Sequence, residues 1–350
     1  MPKIVQLSRP GEVELVDCPP QPLAPGHARV RTWYSGISAG TELTSYRGSS
    51  PYLNKTWDSD RRMFTAGVPS FTYPVTTWGY SEVGEVVEVS DGVTGVLPGE
   101  LVYGIWGHRS DAVVPAGAIA RTKVSAGVEP VHGVFARVGA IALNAVLAAE
   151  LHLGEHVAVF GQGVIGLLSG QLASLSGGRV IAVDPLHNRL QLALKLGAST
   201  VVPADTAAGV GEVIRDLTGG VGVDSAIELS GNYRALQEAM RCVVADGRVV
   251  AAGFYQGDGQ GLRLGEEFHH NRVHIVASQI GATPLSLGPR WTQARLVSVF
   301  MGQLAAGAVD VTPLISHVID ANDAASAFRL LAETPADALQ VVLRFSDAPG

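Results

Sequence analysis

The chain has 350 residues, 47% of them apolar and 16% charged, with a net charge of −7. That length exceeds what one hydrophobic core fills, so two domains are expected. The acidic balance without basic runs gives no electrostatic reason for a nucleic-acid or anionic-membrane partner, and charge or glycine interrupts every apolar run before it reaches bilayer length.

Only Cys18 and Cys242 are present, far apart, which excludes a disulfide framework or a cysteine-rich metal site within one chain. Met1 to Pro10 carries Lys3 and Arg9 but neither a long apolar stretch nor a small-residue cleavage site, so the expected location is cytoplasmic. The 42 glycines are the unusual feature. Many follow short apolar runs, where tight turns or close backbone approach to a ligand need them.

From Met1 to about Val124 the predicted elements are short strands punctuated by glycine and proline: Ala28 to Tyr34, Gly84 to Val89, Leu101 to Trp106 and Ala112 to Pro115. Ser45 to Thr77 has aromatics but no period and reads as a long ordered loop. After about Glu129 strand and helix signals alternate. His156 to Phe160 reads as a buried strand, and Val164, Leu168, Leu172 and Leu175 fall at helical spacing.

Strand Arg179 to Val183, helix Leu190 to Leu196, strand Thr200 to Val202, helix Val210 to Leu217, strand Val223 to Leu229, helix Tyr233 to Val244 and strands Arg248 to Ala252 and Val273 to Ser278 follow. Such alternation predicts an α/β domain with a doubly wound parallel sheet. The tail reads as helix Gln293 to Leu304, helix Ala324 to Ala332 with Asp323 as N-cap, and strand Gln340 to Phe345, returning to the first domain.

Gly161-Gln162-Gly163-Val164-Ile165-Gly166 directly follows strand His156 to Phe160 and opens a helix, the context in which a Gly-x-Gly-x-x-Gly loop carries information. Gly161 permits the turn, Gly163 lets the backbone approach a pyrophosphate, and Gly166 lets helix and strand pack closely. The bare N–H groups of the helix start then favour phosphate. Asp184 ends the next strand, roughly 20 positions beyond the first glycine, where a carboxylate accepts both adenosine ribose hydroxyls and repels a 2′-phosphate. NAD is therefore expected over NADP, although Arg189 stands close enough to assist a phosphate. Ser230 with Gly231, and Gly253 with Phe254, end two further strands and are candidate nicotinamide-side contacts or plain turns.

These features resemble the medium-chain dehydrogenase/reductase superfamily from end to end. The resemblance rests on Gly36-Ile-Ser-Ala-Gly-Thr-Glu42, Gly79-Tyr-Ser-Glu-Val-Gly84 with Pro98-Gly-Glu-Leu-Val102, the nucleotide loop, Asp224-Ser-Ala-Ile-Glu-Leu-Ser-Gly231 and Gly247-Arg-Val-Val250. The first motif looks like the zinc-type alcohol dehydrogenase and bacteriochlorophyllide-dehydrogenase-like branches. The resemblance implies a GroES-like β domain over 1–128 and 286–350, a Rossmann domain over 129–285, an active site in the cleft between them, and a homodimer.

The zinc ligands of the family are not where the resemblance would put them. Ser38 stands where zinc members have a Cys, Tyr80 where they have a His, and Arg137 falls at or near the third ligand position. A hydroxyl, a phenol and a guanidinium do not assemble a catalytic zinc site, so no metal is expected. A set made of Glu42, Glu82 and His108 has no recognisable ligand spacing. His269 and His270, read as strand neighbours, would point to opposite faces.

Arg137 and Tyr80 then offer charge and a proton to a developing oxyanion, with Thr41 matching the hydroxyl that relays the proton in zinc members. Their plainer reading is an Arg137–Glu42 pair, a cleft-filling Tyr80 and a turn-capping Thr41. A lone His108 reads as a surface or structural residue or an acid–base group. Tyr34, Tyr46, Tyr52, Trp57 and Trp78 suit aromatic cleft walls or packing. The expected activity is hydride transfer between NAD(H) and a secondary alcohol or its ketone. Reduction of an enone or quinone with NAD(P)H, and nucleotide binding without turnover, are the alternatives.

Overall fold

The computed structural model describes residues 1–345; the last five positions of the expected first-domain tail lie outside them. Two compact units are present. Met1–Arg137 and the chain from Thr312 onward form the first, and Val138–Val311 the second. The divisions fall at 137/138 and 311/312 rather than at 128 and 285. Helix Gln293–Ala305, expected in the returning tail, belongs to the second unit, because its buried Leu296 and Phe300 face inward there and Phe300 lies against Gly139.

The first unit opens with an antiparallel hairpin, β1 (Lys3–Arg9) and β2 (Glu12–Asp17), whose mixed apolar and charged positions carry no clear strand signal. It continues with β3 (His27–Gly36), β4 (Thr56–Asp58), β5 (Met63–Thr65), β6 (Glu82–Val89), β7 (Leu101–Gly104) and β8 (Asp111–Pro115). Within the expected loop 45–77, β4 and β5 form a small antiparallel pair carrying a Tyr52–Phe64–Trp57 ring cluster. The second unit contributes β9 (His156–Phe160), β10 (Arg179–Asp184), β11 (Thr200–Pro203), β12 (Val223–Glu228), β13 (Val243–Ala251) and β14 (His274–Ala277). The tail adds β15 (Ile315–Asp320) and β16 (Gln340–Arg344) to the first unit.

The main sheet of the first unit runs β15-β16-β3-β6-β7, with β8 also pairing β3. Alternation along β3 buries Ala28, Val30 and Thr32, and Val30 packs with Val86, Val102 and Ala112. Gly84 is where β6 crosses β3, and a Cβ there would sit 2.2 Å from the Arg31 carbonyl oxygen. A second apolar cluster joins Ile37, Leu43, Trp78, Phe328 and Leu343, with the Trp78 and Phe328 rings stacked at 4.5 Å. Asp323 does occupy the N-cap of helix Ala324–Glu333, but its side chain makes no cap bond; instead Asp320 accepts the Asn322 N–H.

In the second unit a six-stranded, all-parallel sheet runs β11-β10-β9-β12-β13-β14. This is the dinucleotide-binding order, with the crevice where the order reverses beside β9. Central strands are buried on both faces and so read as unbroken apolar runs: Val157 to Phe160, Val180 to Val183. Residues Pro130–Ala148 form a 19-residue helical span apolar enough to cross a membrane by composition, but Arg137, Gly133 and Gly139 interrupt it and most of it is buried. His269 and His270 continue a helical turn after Leu264–Phe268 and are not on a strand, since β14 begins only at His274.

Candidate active site

The nucleotide loop is shaped by backbone crowding. Gly161 has φ +88°, and a Cβ there would lie 2.9 Å from the Ser230 nitrogen. At Gly166 a Cβ would fall 1.8 Å from the Gly161 carbonyl oxygen, so helix Val164–Leu175 meets its strand only with glycine. Gly163 is the N-cap, has nothing within 4 Å of its Cβ position and gives the helix no side-chain cap. The first-turn N–H groups of Val164, Ile165 and Gly166 therefore have no intrahelical carbonyl, the condition for holding a diphosphate. This cradle fits a nicotinamide dinucleotide.

Gln162 and Asp184 sit differently from expectation. The Gln162 side chain is buried and donates to the Val159 carbonyl at 2.7 Å, so its backbone, not its amide, faces the loop. Asp184 is 3% exposed, and both its oxygens already accept backbone N–H groups, Gln162 at 2.6 Å and Leu186 at 2.8 Å. A carboxylate has lone pairs for more than two donors, so ribose binding remains chemically open to it. Arg189 lies half-buried in the first turn of helix His187–Lys195.

Glu228, at the end of β12, organises the neighbouring turns, a role the sequence reading missed. Its Oε1 accepts the Ser230 N–H at 2.7 Å and the Ser230 hydroxyl; Oε2 accepts Gly231 N–H at 3.1 Å and the Tyr255 phenol at 2.5 Å. Burial raises its pKa, against those four donors. Gly253 closes the arrangement, since a Cβ there would lie 2.3 Å from the Gly231 nitrogen.

In the first unit the structure brings Ser38, Thr41, Tyr80 and Arg137 together. Tyr80 donates to the Ser38 Oγ and hydrogen-bonds with Thr41, and Arg137 is close enough to act electrostatically on the phenol. Burial first, and then Glu42, raise the Tyr80 pKa, while Ser38, Thr41 and Arg137 pull the other way. Burial lowers that of Arg137, with Tyr80 opposing. Gly79 presents Tyr80 from φ +90°, and a Cβ there would meet Glu82 Oε1 and the His108 nitrogen, each at 2.9 Å. Thr41 is the N-cap residue of helix Glu42–Tyr46 without a side-chain cap bond.

Behind this group lies a buried polar chain whose spacing hid it. His108 Nε2 is 2.7 Å from Glu42 Oε2, its Nδ1 is 2.6 Å from Ser35 Oγ, and Ser35 donates to Glu82 Oε1 at 3.0 Å. The second Glu42 oxygen accepts the Ser38 N–H at 3.1 Å, and the second Glu82 oxygen the Trp106 N–H at 2.8 Å.

A catalytic zinc needs anionic or imidazole ligands with free lone pairs. A Ser–Tyr hydrogen-bonded pair beside a guanidinium does not fit one. Among the described residues no group of three His, Cys, Asp or Glu side chains is disposed to hold a metal ion.

A dinucleotide-binding sheet carrying its glycine cradle, together with a separate β unit, defines the class of nicotinamide-dependent dehydrogenases. The sequence matches the zinc-binding dehydrogenase family model over residues 164–294, all within the second unit. It is 28% identical over 354 residues to D-guloside 3-dehydrogenase of Escherichia coli, covering 99% of this chain and 100% of that one. With L-threonine 3-dehydrogenase of Pyrococcus abyssi it shares 30% identity over 276 residues, 70% of this chain and 75% of the relative. The crystal structure of 2R,3R-butanediol dehydrogenase from Bacillus subtilis has the same fold, with a TM-score of 0.80 at 21% identity over 98% of this chain and 99% of that one. The chain belongs to the medium-chain dehydrogenase/reductase superfamily and is an NAD(P)-dependent oxidoreductase acting on small molecules.

Proposed function

We propose that the protein interconverts a secondary alcohol and its ketone with NAD(H), using its own hydroxyl and guanidinium groups in place of zinc. The observation that carries this reading is the Ser38–Tyr80–Thr41 hydroxyl group with Arg137 beside it. When bound, the nicotinamide ring takes or gives the hydride.

In the reducing direction Tyr80 holds its proton, because burial and Glu42 raise its pKa, and is suited to donating to the carbonyl oxygen. Arg137, a cation in partly dry surroundings, stabilises the negative charge that grows there as the C–H bond forms. In the oxidising direction the alcohol loses its carbon-bound hydrogen as hydride and its O–H proton through the hydroxyl group, with the exposed Thr41 at the solvent end. The products are ketone, NADH and one proton.

Asp184 supports NAD over NADP, since a 2′-phosphate would meet a carboxylate. The relatives support polyols and sugar-like alcohols as first substrates to try. Homodimerisation is part of the reading, supported by the exposed His274 and Ala277 on the edge strand β14. A cytoplasmic location is likewise proposed.

The test is a panel of secondary alcohols, sugars and enones with NAD and NADP, alongside metal analysis of the same preparation. Alcohol turnover with NAD in metal-free protein, reduced about 100-fold or more in Tyr80→Phe and Arg137→Ala, is expected, the range for loss of one oxyanion donor. Stoichiometric zinc, preferential enone reduction with NADPH, or NADH binding with no turnover on any substrate would each remove it.

A further inference from the structure

The polar chain behind Tyr80 has a hydrogen-bond direction that can be read. Ser35 has one hydroxyl proton, and with Glu82 ionised it goes to that carboxylate. Its oxygen is then the acceptor for His108 Nδ1, which must carry a proton. The Glu42 carboxylate, which also takes the Ser38 N–H, is the acceptor for Nε2. In that arrangement both ring nitrogens are donors, and the imidazole is a cation buried between two carboxylates.

We propose that His108 is a positioning residue of the active site: donating from both nitrogens, to Glu42 and through Ser35 to Glu82, it holds Glu42 against the Ser38 backbone and so fixes the hydroxyl group at Tyr80. The three members come from separate elements, Glu42 from the short helix after β3, Ser35 from β3 and Glu82 from β6, so the imidazole ties them together. The uncharged Trp78 and Phe328 rings also meet it edge to face, at centroid distances of 5.7 and 6.0 Å. Tyr80 faces Glu42, and Arg137 faces Tyr80. The link from Glu42 to Ser38 is a backbone amide, which does not pass a proton; the chain therefore orients the site and does not conduct.

A satisfied core histidine needs one partner. This one buries two carboxylates with it, an arrangement that well-packed apolar residues of similar volume often replace without loss of stability. Its cost is explained if the loop 38–42 must be held in one conformation. Burial disfavours the imidazolium, but Glu42 and then Glu82 outweigh it and raise the His108 pKa.

The inference rests on the reading of Tyr80 given above, and its test separates the two. Full-length protein labelled with 15N-histidine is examined at about pH 7.5, above the ordinary histidine value. The His108 resonances, assigned by their loss in His108→Gln or their shift in Glu82→Gln, are expected to show two protonated nitrogens. His108→Gln is expected to lower kcat about 10-fold to 100-fold, the span for a lost orienting group, and to leave the NADH dissociation constant within about twofold. A bare ring nitrogen at that pH, or a His108→Gln enzyme with unchanged kcat and pH profile, overturns the proposal. If His108→Gln does not fold, the wild-type spectrum and Glu82→Gln still decide. A bare nitrogen alongside an inactive Tyr80→Phe removes this proposal alone; a fully active Tyr80→Phe removes it together with the catalytic reading.

Discussion

His108 Nε2 and Glu42 Oε2 stand 2.7 Å apart with both side chains sealed from water, at 0% and 3% exposure. Such a pair ties stability to pH in a direction that can be worked out. Burial lowers the His108 pKa, but Glu42 and Glu82 together raise it above the ordinary value of 6.5. The folded state holds this proton more tightly than the unfolded chain. Its contribution is complete below pH 6.5 and is lost as pH rises through the folded value. Burial raises Glu82 as well, so its contribution shrinks in the same sense from its ordinary 4.5 upward. The midpoint of thermal unfolding is expected to fall as pH rises from about 6 to about 9, and less steeply in Glu82→Gln. Calorimetry across that range checks it; a midpoint climbing through neutrality contradicts it.

Two glycines of the nucleotide loop separate folding from binding. Gly166→Ala forces a methyl to within 1.8 Å of the Gly161 carbonyl and is expected to cost about 3 kcal/mol, at the upper end of ordinary overpacking. Gly163→Ala meets nothing within 4 Å, so the fold should tolerate it. Its methyl would stand where the pyrophosphate approaches, and NADH affinity is expected to fall about 10-fold or more. Urea denaturation and NADH fluorescence titration of both variants test the contrast. Equal behaviour in the two assays would show that the open face at Gly163 is not the phosphate face.

Much of the second unit was legible because β9 and β10 are buried on both faces, and an apolar run ended by glycine or aspartate marks such a strand to within a residue. The first unit was harder. β4 and β5 are three residues each, too short for alternation to show, and β1 mixes its apolar positions with Lys3, Gln6 and Arg9. Ser38, Thr41, Tyr80 and Arg137 were legible as a group only through the family motifs. His108 was not, since Glu42 and Ser35 are 66 and 73 positions away and no local spacing announces them. Glu228 was concealed by lying at the end of an apolar strand; three of its four donors come from Ser230 and Gly231 in the turn just beyond it, and the Tyr255 phenol reaches it from past β13.

Asp184 illustrates a residue whose position was foreseen and whose bonding was not. Its oxygens hold the Gln162 and Leu186 amides at 2.6 and 2.8 Å. Asp184→Ala therefore leaves two backbone donors without their acceptor, at about 1–3 kcal/mol where water does not reach them. It also removes the carboxylate proposed for the ribose. Affinity for NADH is expected to fall about 10-fold or more and the preference over NADPH to narrow, because charge repulsion against the 2′-phosphate goes with it. Isothermal titration with both nucleotides measures this, and an unchanged ratio would place cofactor selection elsewhere.

Tyr255 and Glu228 give a pH-dependent test of the nicotinamide-side turns. The phenol donates to Glu228 at 2.5 Å, one of four donors that counter the burial raising the Glu228 pKa. In Tyr255→Phe that donor is gone, and the folded pKa of Glu228 is expected to rise further. A raised carboxylate is tolerated while protonated and penalised once ionised, so its stability contribution is lost as pH climbs from the ordinary 4.5 through the folded value. The gap in unfolding free energy between wild type and Tyr255→Phe should be small near pH 4.5 and widen to about 1.5–3 kcal/mol above neutrality, the scale of a hydrogen bond to a charged group. Denaturant midpoints at the two ends of that range decide it. A gap independent of pH would mean that Tyr255 acts by packing against Tyr233, whose ring lies 5.1 Å away, and not through the carboxylate.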